Sequence, residues 1–240
     1  MISKSGVMYI KPEGLPENIF SITTTRFSGF SRGDYSSLNF GYHVGDKLLD
    51  VDRNYEKIKS VFNISNILTL NQIHSAQIVS ELFFTEPADG IYTYKPNISL
   101  GIMTADCFNV QLIGEKIIAN LHCGWKSIYS GIIENCLKIF DQEKDSVNFA
   151  VIGPGICEKC YEVSKELISK FYNVLQVDDF YDSFSGKFYM NLRRIIQFKL
   201  VNYSKNMIHL KYCTRCCNFL YSYRRSSKTG RLISLLMRYG

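Results

Sequence analysis

The chain has 240 residues, 46% of them hydrophobic and 21% charged, proportions that exclude a disordered or low-complexity polypeptide. This length can bury one large core, and no linker-like stretch divides it, so a single domain spanning residues 1–240 is expected. The formal charge of +6 is carried by dispersed basic residues, with Arg193-Arg194 and Arg224-Arg225 the densest pairs, which is not the concentrated basic face of a nucleic-acid binder. The first apolar run, Val7-Met8-Tyr9-Ile10, is too short for a signal core or a membrane helix, so a cytoplasmic protein is expected. Its eight cysteines are then expected as thiols, metal ligands or nucleophiles rather than disulfides.

In chain order, Ile19 to Thr24 reads as a strand, and the glycine-punctuated loop from Arg26 to Gly33 follows it. Asp50 is expected to cap a helix whose inner face is Val51, Tyr55, Ile58 and Phe62. Ile67 to Leu70 and Gln77 to Leu82 read as short strands around Asn71-Gln72-Ile73-His74-Ser75. Leu100 to Met103 is a further strand, ending at Thr104-Ala105-Asp106-Cys107. Val110 to Ile113 and Ile117 to Leu121 flank Gly114-Glu115-Lys116 and predict a hairpin. Gly124 provides the turn after it, and Ile128, Ile132, Ile133, Cys136, Leu137 and Phe140 trace one helix face. Phe149 to Ile152 is a strand stopped by Gly153-Pro154-Gly155. Ser164 is expected to cap a helix through Leu175, and a second helix carries Leu192, Ile195, Ile196 and Leu200. Ile208 to Tyr212 and Arg231 to Met237 complete the strands. Helices alternate with strands that include a hairpin, so the fold class is mixed α/β.

Three residues fall at or just after strand ends: His74, Cys107 and His122. Two imidazoles and a thiolate suit zinc or copper and leave a fourth position open, as in catalytic sites. Without a metal, Cys107 and a histidine could instead be a nucleophile and its base. A rival constellation is Cys157-Glu158-Lys159-Cys160 with Cys213-Thr214-Arg215-Cys216, two CxxC pairs formally fit for structural zinc. The 52 residues between the pairs exceed the roughly 15–20 of compact zinc modules, which weighs against it. The nucleobase-deaminase signature is absent, because Ser75-Ala76 follow His74 and no proline precedes Cys157. The segment Arg224 to Arg231 holds four cations and several hydroxyls; it could bind phosphate, as could Arg26, or be a solvated turn.

Together these stretches resemble the laccase-domain or YfiH-like family, also described as multicopper polyphenol oxidoreductase laccases, purine nucleoside phosphorylases and peptidoglycan editing factors. The resemblance runs along nearly the whole chain. It rests on Thr25-Arg26 with Gly29 and Ser31, Ser37-Leu38-Asn39, Asn71 to His74, Ala88-Asp89-Gly90 and Thr104 to Cys107. Further along it rests on His122 to Trp125, Ile152 to Ile156, Cys160 to Val163, Cys213-Thr214, Ser222-Tyr223-Arg224 and Thr229-Gly230-Arg231. It implies that His74, Cys107 and His122 ligate the metal, zinc or copper, in a single domain of mixed sheets flanked by helices, similar to the catalytic domain of cytotoxic necrotizing factors. The chain departs from the family pattern at Cys123, Lys126, Ser127, Asn109 and Ser28. Lys126 in place of arginine loses bidentate geometry.

The resemblance further implies phosphorolysis of adenosine, inosine and methylthioadenosine, with adenosine deamination. The expected catalytic set is Cys107, His74, His122 and Asp106, with Arg26, Asn39, Gln72, Arg224 and Arg231 binding substrate. In deamination the metal would activate water while Asp106 or the surroundings of Cys107 handle protons; in phosphorolysis cations such as Arg26 would orient phosphate. Alternatives are copper-dependent oxidation of phenols, hydrolytic editing of peptidoglycan precursors and metal-dependent binding without turnover. With only four histidines in the chain, including His43 and His209, a multicopper relay has little material. The expected partners are a nucleoside and phosphate, with no nucleic acid and no membrane, and the chain is expected to be a monomer.

Overall fold

The computed structural model describes residues 1–240. The elements, in chain order, are β1 (Ile2–Lys4), β2 (Val7–Ile10), β3 (Ile19–Thr24), α1 (Leu48–Phe62), β4 (Ile67–Thr69), β5 (Ile78–Ser80), β6 (Gly90–Thr93), β7 (Ser99–Thr104), β8 (Phe108–Ile113) and β9 (Ile118–Cys123). There follow α2 (Trp125–Tyr129), α3 (Ile132–Gln142), β10 (Phe149–Ile152), β11 (Glu162–Val163), α4 (Lys165–Leu175), β12 (Tyr181–Phe184), β13 (Lys187–Met190), α5 (Leu192–Leu200), β14 (Asn206–His209) and β15 (Leu232–Arg238).

Two six-stranded mixed sheets carry the fold, ordered β1-β2-β3-β15-β7-β4 and β14-β10-β8-β9-β6-β5, with a small β11-β13-β12 sheet beside them. The large sheets pack face to face through Ile102, Leu232 and Leu236 of one and Ile91, Ile118 and Val151 of the other. Helix α1 closes the outer face of the first sheet with Val51, Tyr55, Ile58 and Phe62, and α3, α4 and α5 close that of the second. The result is four layers, helix on sheet on sheet on helices. Each fully buried Ile, Leu or Phe in them contributes about 1.5–3 kcal/mol of transfer free energy, which is what sets those apolar stripes against a sheet. No helix is long and apolar enough to cross a membrane.

The strict period of two in β9 does the positioning. Ala119, Leu121 and Cys123 enter the helix-covered core, so Ile118, Asn120 and His122 face the other sheet. Asn120 Nδ2 donates to the carbonyls of Leu100 at 2.8 Å and Ser234 at 3.0 Å. Those two bonds pin β9 to the facing sheet two residues before His122.

Several boundaries differ from the sequence expectation, each for a local reason. Helix α1 starts before Asp50, with Lys47 at its N-cap, so Asp50 lies in the first turn, where its charge complements the helix dipole. The expected helix from Ile128 to Phe140 is split at Gly131, whose φ of +90° no helical residue adopts. Strand β9 runs through Cys123, which puts His122 inside the strand rather than beyond it. The last short strand is Asn206–His209 instead of Ile208 to Tyr212, while Ser164 caps α4 as expected by accepting from the Leu167 N–H.

Candidate metal centre and its cavity

Register brings the site together. Phe108 pairs with Cys123 and Asn109 with His122 across β8 and β9, so Cys107, one residue before β8, stands beside Gly124. A Cβ built on Gly124 would meet Cys107 Sγ at 2.9 Å and His74 Cδ2 at 3.2 Å. Gly124 itself has an ordinary extended conformation, φ −81°. Glycine is therefore required for close approach rather than for the turn the sequence suggested. The ligating atoms of His74, Cys107 and His122 all lie within 4.8 Å of one another, and the two imidazole rings meet edge to face.

Asp89, immediately before β6, holds two of the three. Its Oδ1 is 2.8 Å from His122 Nδ1 and accepts the His74 backbone N–H at 3.0 Å. Its Oδ2 accepts from the Ser75 N–H at 2.6 Å, the Ser75 hydroxyl at 2.9 Å and the Ile73 N–H at 3.2 Å. The Asp89 carbonyl also accepts the His122 N–H. His74 sits at φ +60°, in the left-handed region, and these bonds hold it there. Because Nδ1 of His122 faces the carboxylate, Nε2 is turned to the site, the usual tautomer control for a metal-ligating histidine.

The electrostatics suit a cation. Burial alone would raise the Cys107 thiol, but the charge and hydrogen bonds of His122 and His74 bring it down to about 6. Burial would lower His122, yet the Cys107 thiolate and the Asp89 carboxylate raise it to about 9. Burial likewise opposes ionisation of Asp89, and the bonds from His122 and Ser75 overcome it, leaving its pKa depressed. At neutral pH the metal-free protein therefore holds thiolate against imidazolium. Cys123, facing the core, has its thiol raised by burial and by the Cys107 thiolate, so it packs as a hydrophobe. One thiolate and two imidazoles, with an oriented outer carboxylate, fit a zinc-like ion.

The trio lines a cavity of about 430 Å³, within the range of small-molecule pockets. Met103, Trp125, Ile156, Tyr161 and Tyr223 supply apolar and aromatic wall, and Lys126, Arg224 and Arg231 supply cations. Of the residues expected to bind substrate, Gln72, Arg224 and Arg231 line this cavity. Gln72 clamps β7 through both its amide atoms, to Met103 N–H and Met103 C=O at 2.8 Å each. Asp106, at φ +100°, lines the cavity too. Its carboxylate already accepts the Thr214 hydroxyl and the Arg224 N–H, each at 2.6 Å, so it anchors two loops.

Arg26 and Asn39 are not in the cavity wall. Arg26 donates to the Ser36 carbonyl and stacks over Tyr221. Asn39 is fully buried, its amide accepting from Gly41 and Arg231 N–H groups and donating to Asp46. Both residues tie loops together, because the loop from Arg26 folds back on Ser37 and Leu38 rather than toward the site. Nothing local to the sequence marks a role for Asp89, or for Tyr161 and His43, which also line the cavity.

The fold and site define a class, mixed α/β proteins in which two histidines and a cysteine that could hold a metal ion meet at a cavity. Residues 20–239 match the family described as multi-copper polyphenol oxidoreductase laccase, and the chain belongs to that family. It is 31% identical to a purine nucleoside phosphorylase of Haemophilus influenzae, over 92% of this chain and 95% of that protein. It is 27% identical to the purine nucleoside phosphorylase YfiH of Escherichia coli, over 92% and 94%. The crystal structure of a Neisseria meningitidis DUF152 protein superposes with a TM-score of 0.88 at 27% identity, covering 98% of this chain and all of that one. YlmD from Geobacillus stearothermophilus, at 22% identity, shares the fold with a TM-score of 0.86 over 93% of each chain.

Proposed function

We propose that the protein is a metal-dependent purine nucleoside enzyme that phosphorolyses adenosine, inosine and methylthioadenosine and deaminates adenosine. The observation that carries this reading is the meeting of His74, Cys107 and His122 with aromatic wall and three cations in one cavity. The names of the relatives from Haemophilus influenzae and Escherichia coli support it.

His74, Cys107 and His122 would hold the metal, zinc or copper, which supplies Lewis acidity at the reacting centre. Trp125, Tyr161 and Tyr223 offer ring faces on which a purine can stack. Arg224 stacks over Tyr161, 5.1 Å from its ring centre, so a guanidinium already covers one face of that ring. Arg224, Arg231 and Lys126 would draw in phosphate and orient it toward the sugar. In phosphorolysis a phosphate oxygen bonds to the anomeric carbon while the bond to the purine nitrogen breaks. The base leaves with that electron pair and takes up a proton. In deamination water adds at the amino-bearing ring carbon and ammonia departs. His43 and His209 join no further metal-ligand group, which favours transfer and hydrolysis over a multicopper electron relay.

The test is product analysis of metal-loaded protein with adenosine, with and without phosphate, beside Cys107→Ala. Phosphate-dependent adenine, or inosine formed without phosphate, lost in the variant, is the expected result. A folded, metal-loaded sample that yields neither refutes the reading.

A further inference from the structure

We propose that Cys157, Cys160, Cys213 and Cys216 form a second, structural metal site, a zinc tetrathiolate that clasps the loop after β10 to the loop after β14. The four sulfurs all lie within 4.8 Å of one another, with Cys160 Sγ and Cys216 Sγ at 3.3 Å. A tetrahedron with zinc–sulfur bonds of about 2.3 Å has edges of about 3.8 Å, so the observed spacing needs only small side-chain adjustments.

The long separation in sequence is no obstacle, because β10 and β14 are parallel neighbours with Ile152 opposite His209. Both chains leave the sheet at the same end, and each reaches its first cysteine a few residues later. A bridge between Gly155 and Cys213 then joins the loops, with Gly155 N–H donating to the Tyr212 carbonyl and Thr214 N–H to that of Gly155. This backbone pairing places the cysteines without help from a metal. The Cys157 N–H points at Cys213 Sγ, 3.3 Å away, a donor that favours thiolate over thiol.

The surroundings match a dianionic centre. Lys159 and Arg215 lie within the two CxxC loops, beside one acidic residue, Glu158. Arg193, largely buried, has Glu158 and then Cys157 and Cys213 as its electrostatic neighbours, and its Nη1 is a buried donor with no partner. A charged group so placed is costly unless compensated; Glu158 supplies part of that compensation and a tetrathiolate adds to it. The clasp lies outside the cavity but bears on its wall. Ile156 and Tyr161 flank one cysteine pair and line the cavity, and Thr214, inside the other pair, holds Asp106.

The experiment uses the full chain carrying His74→Ala and Cys107→Ala, which removes the first site and leaves the four cysteines intact, purified with zinc under reducing conditions. Metal analysis should find about one zinc per chain, half the wild-type content, and X-ray absorption should find a sulfur-only zinc shell. Adding Cys160→Ser and Cys216→Ser should abolish that zinc. A folded His74→Ala/Cys107→Ala protein without zinc, a shell containing nitrogen, or the four cysteines recovered as disulfides would each overturn the proposal.

Discussion

Replacing Asp89 by asparagine probes the candidate centre without touching a ligand. The carboxylate is fully buried and is shared by His122, by the Ile73, His74 and Ser75 N–H groups and by the Ser75 hydroxyl. Asparagine keeps the shape and one acceptor, which can still serve His122 and His74. Its amide nitrogen then faces the three donors that Oδ2 accepted, and at least two of them lose their partner. Charge-assisted hydrogen bonds contribute roughly 1.5–3 kcal/mol each, and removing one partner of a buried charged pair costs about 3–5 kcal/mol. The expected loss in stability is therefore about 3–5 kcal/mol at neutral pH, read from urea unfolding of the metal-free protein. Loss of the carboxylate that orients a metal-ligating histidine lowers metal affinity or activity by about 10–100-fold. A chelator-competition titration with zinc measures the affinity. If Asp89→Asn bound zinc as tightly as the wild type while losing stability, Asp89 would merely tie loops. If stability were unchanged, the hydrogen-bond network itself would be refuted.

Three further outcomes are expected. In metal-free protein, alkylation of Cys107, followed by peptide mass spectrometry, should titrate near pH 6 and level off above neutrality, since the neighbouring imidazoles lower its thiol to about 6; a profile still rising towards pH 9 would refute this, and zinc should protect the residue. For Asp145, burial would raise the pKa, but N–H donors from Ile117, Glu115, Lys116 and Ser146 outweigh it and depress it. Its contribution is present above the ordinary carboxylate range and lost as pH falls through the lower folded value. Asp145→Asn should thus cost about 1–3 kcal/mol at neutral pH, a gap that closes in acid; a gap independent of pH in urea titrations would contradict the assignment. Gly124→Ala should weaken zinc binding and activity with little change in melting temperature, because its Cβ collides with Cys107 Sγ and His74; unaltered zinc affinity would show that the centre can yield.

What the sequence determined by itself was whatever depends on neighbours a few residues away. The stripe Val51, Tyr55, Ile58 and Phe62 had to be a helix face, and the run from Leu232 to Met237, apolar except for Ser234, had to be a buried strand, because periodicity and β-branching act locally. The motifs around His74, Cys107 and His122 were legible in the same way, as short stretches whose residue types suit a metal. Strands β1 and β6 and the β12–β13 hairpin carry weak patterns, and the pairing of their partners decides them. Tertiary structure alone decided which distant groups meet. The role of Asp89 has no local signature, since it exists only where the turn holding His74 and strand β9 converge on one carboxylate. Arg26 and Asn39, plausible substrate ligands as residue types, became ties between loops. The two CxxC pairs looked too far apart until β10 and β14 lay parallel and delivered them to one end of the sheet. Separation along the chain limits local structure, but strand order and direction set distance in space.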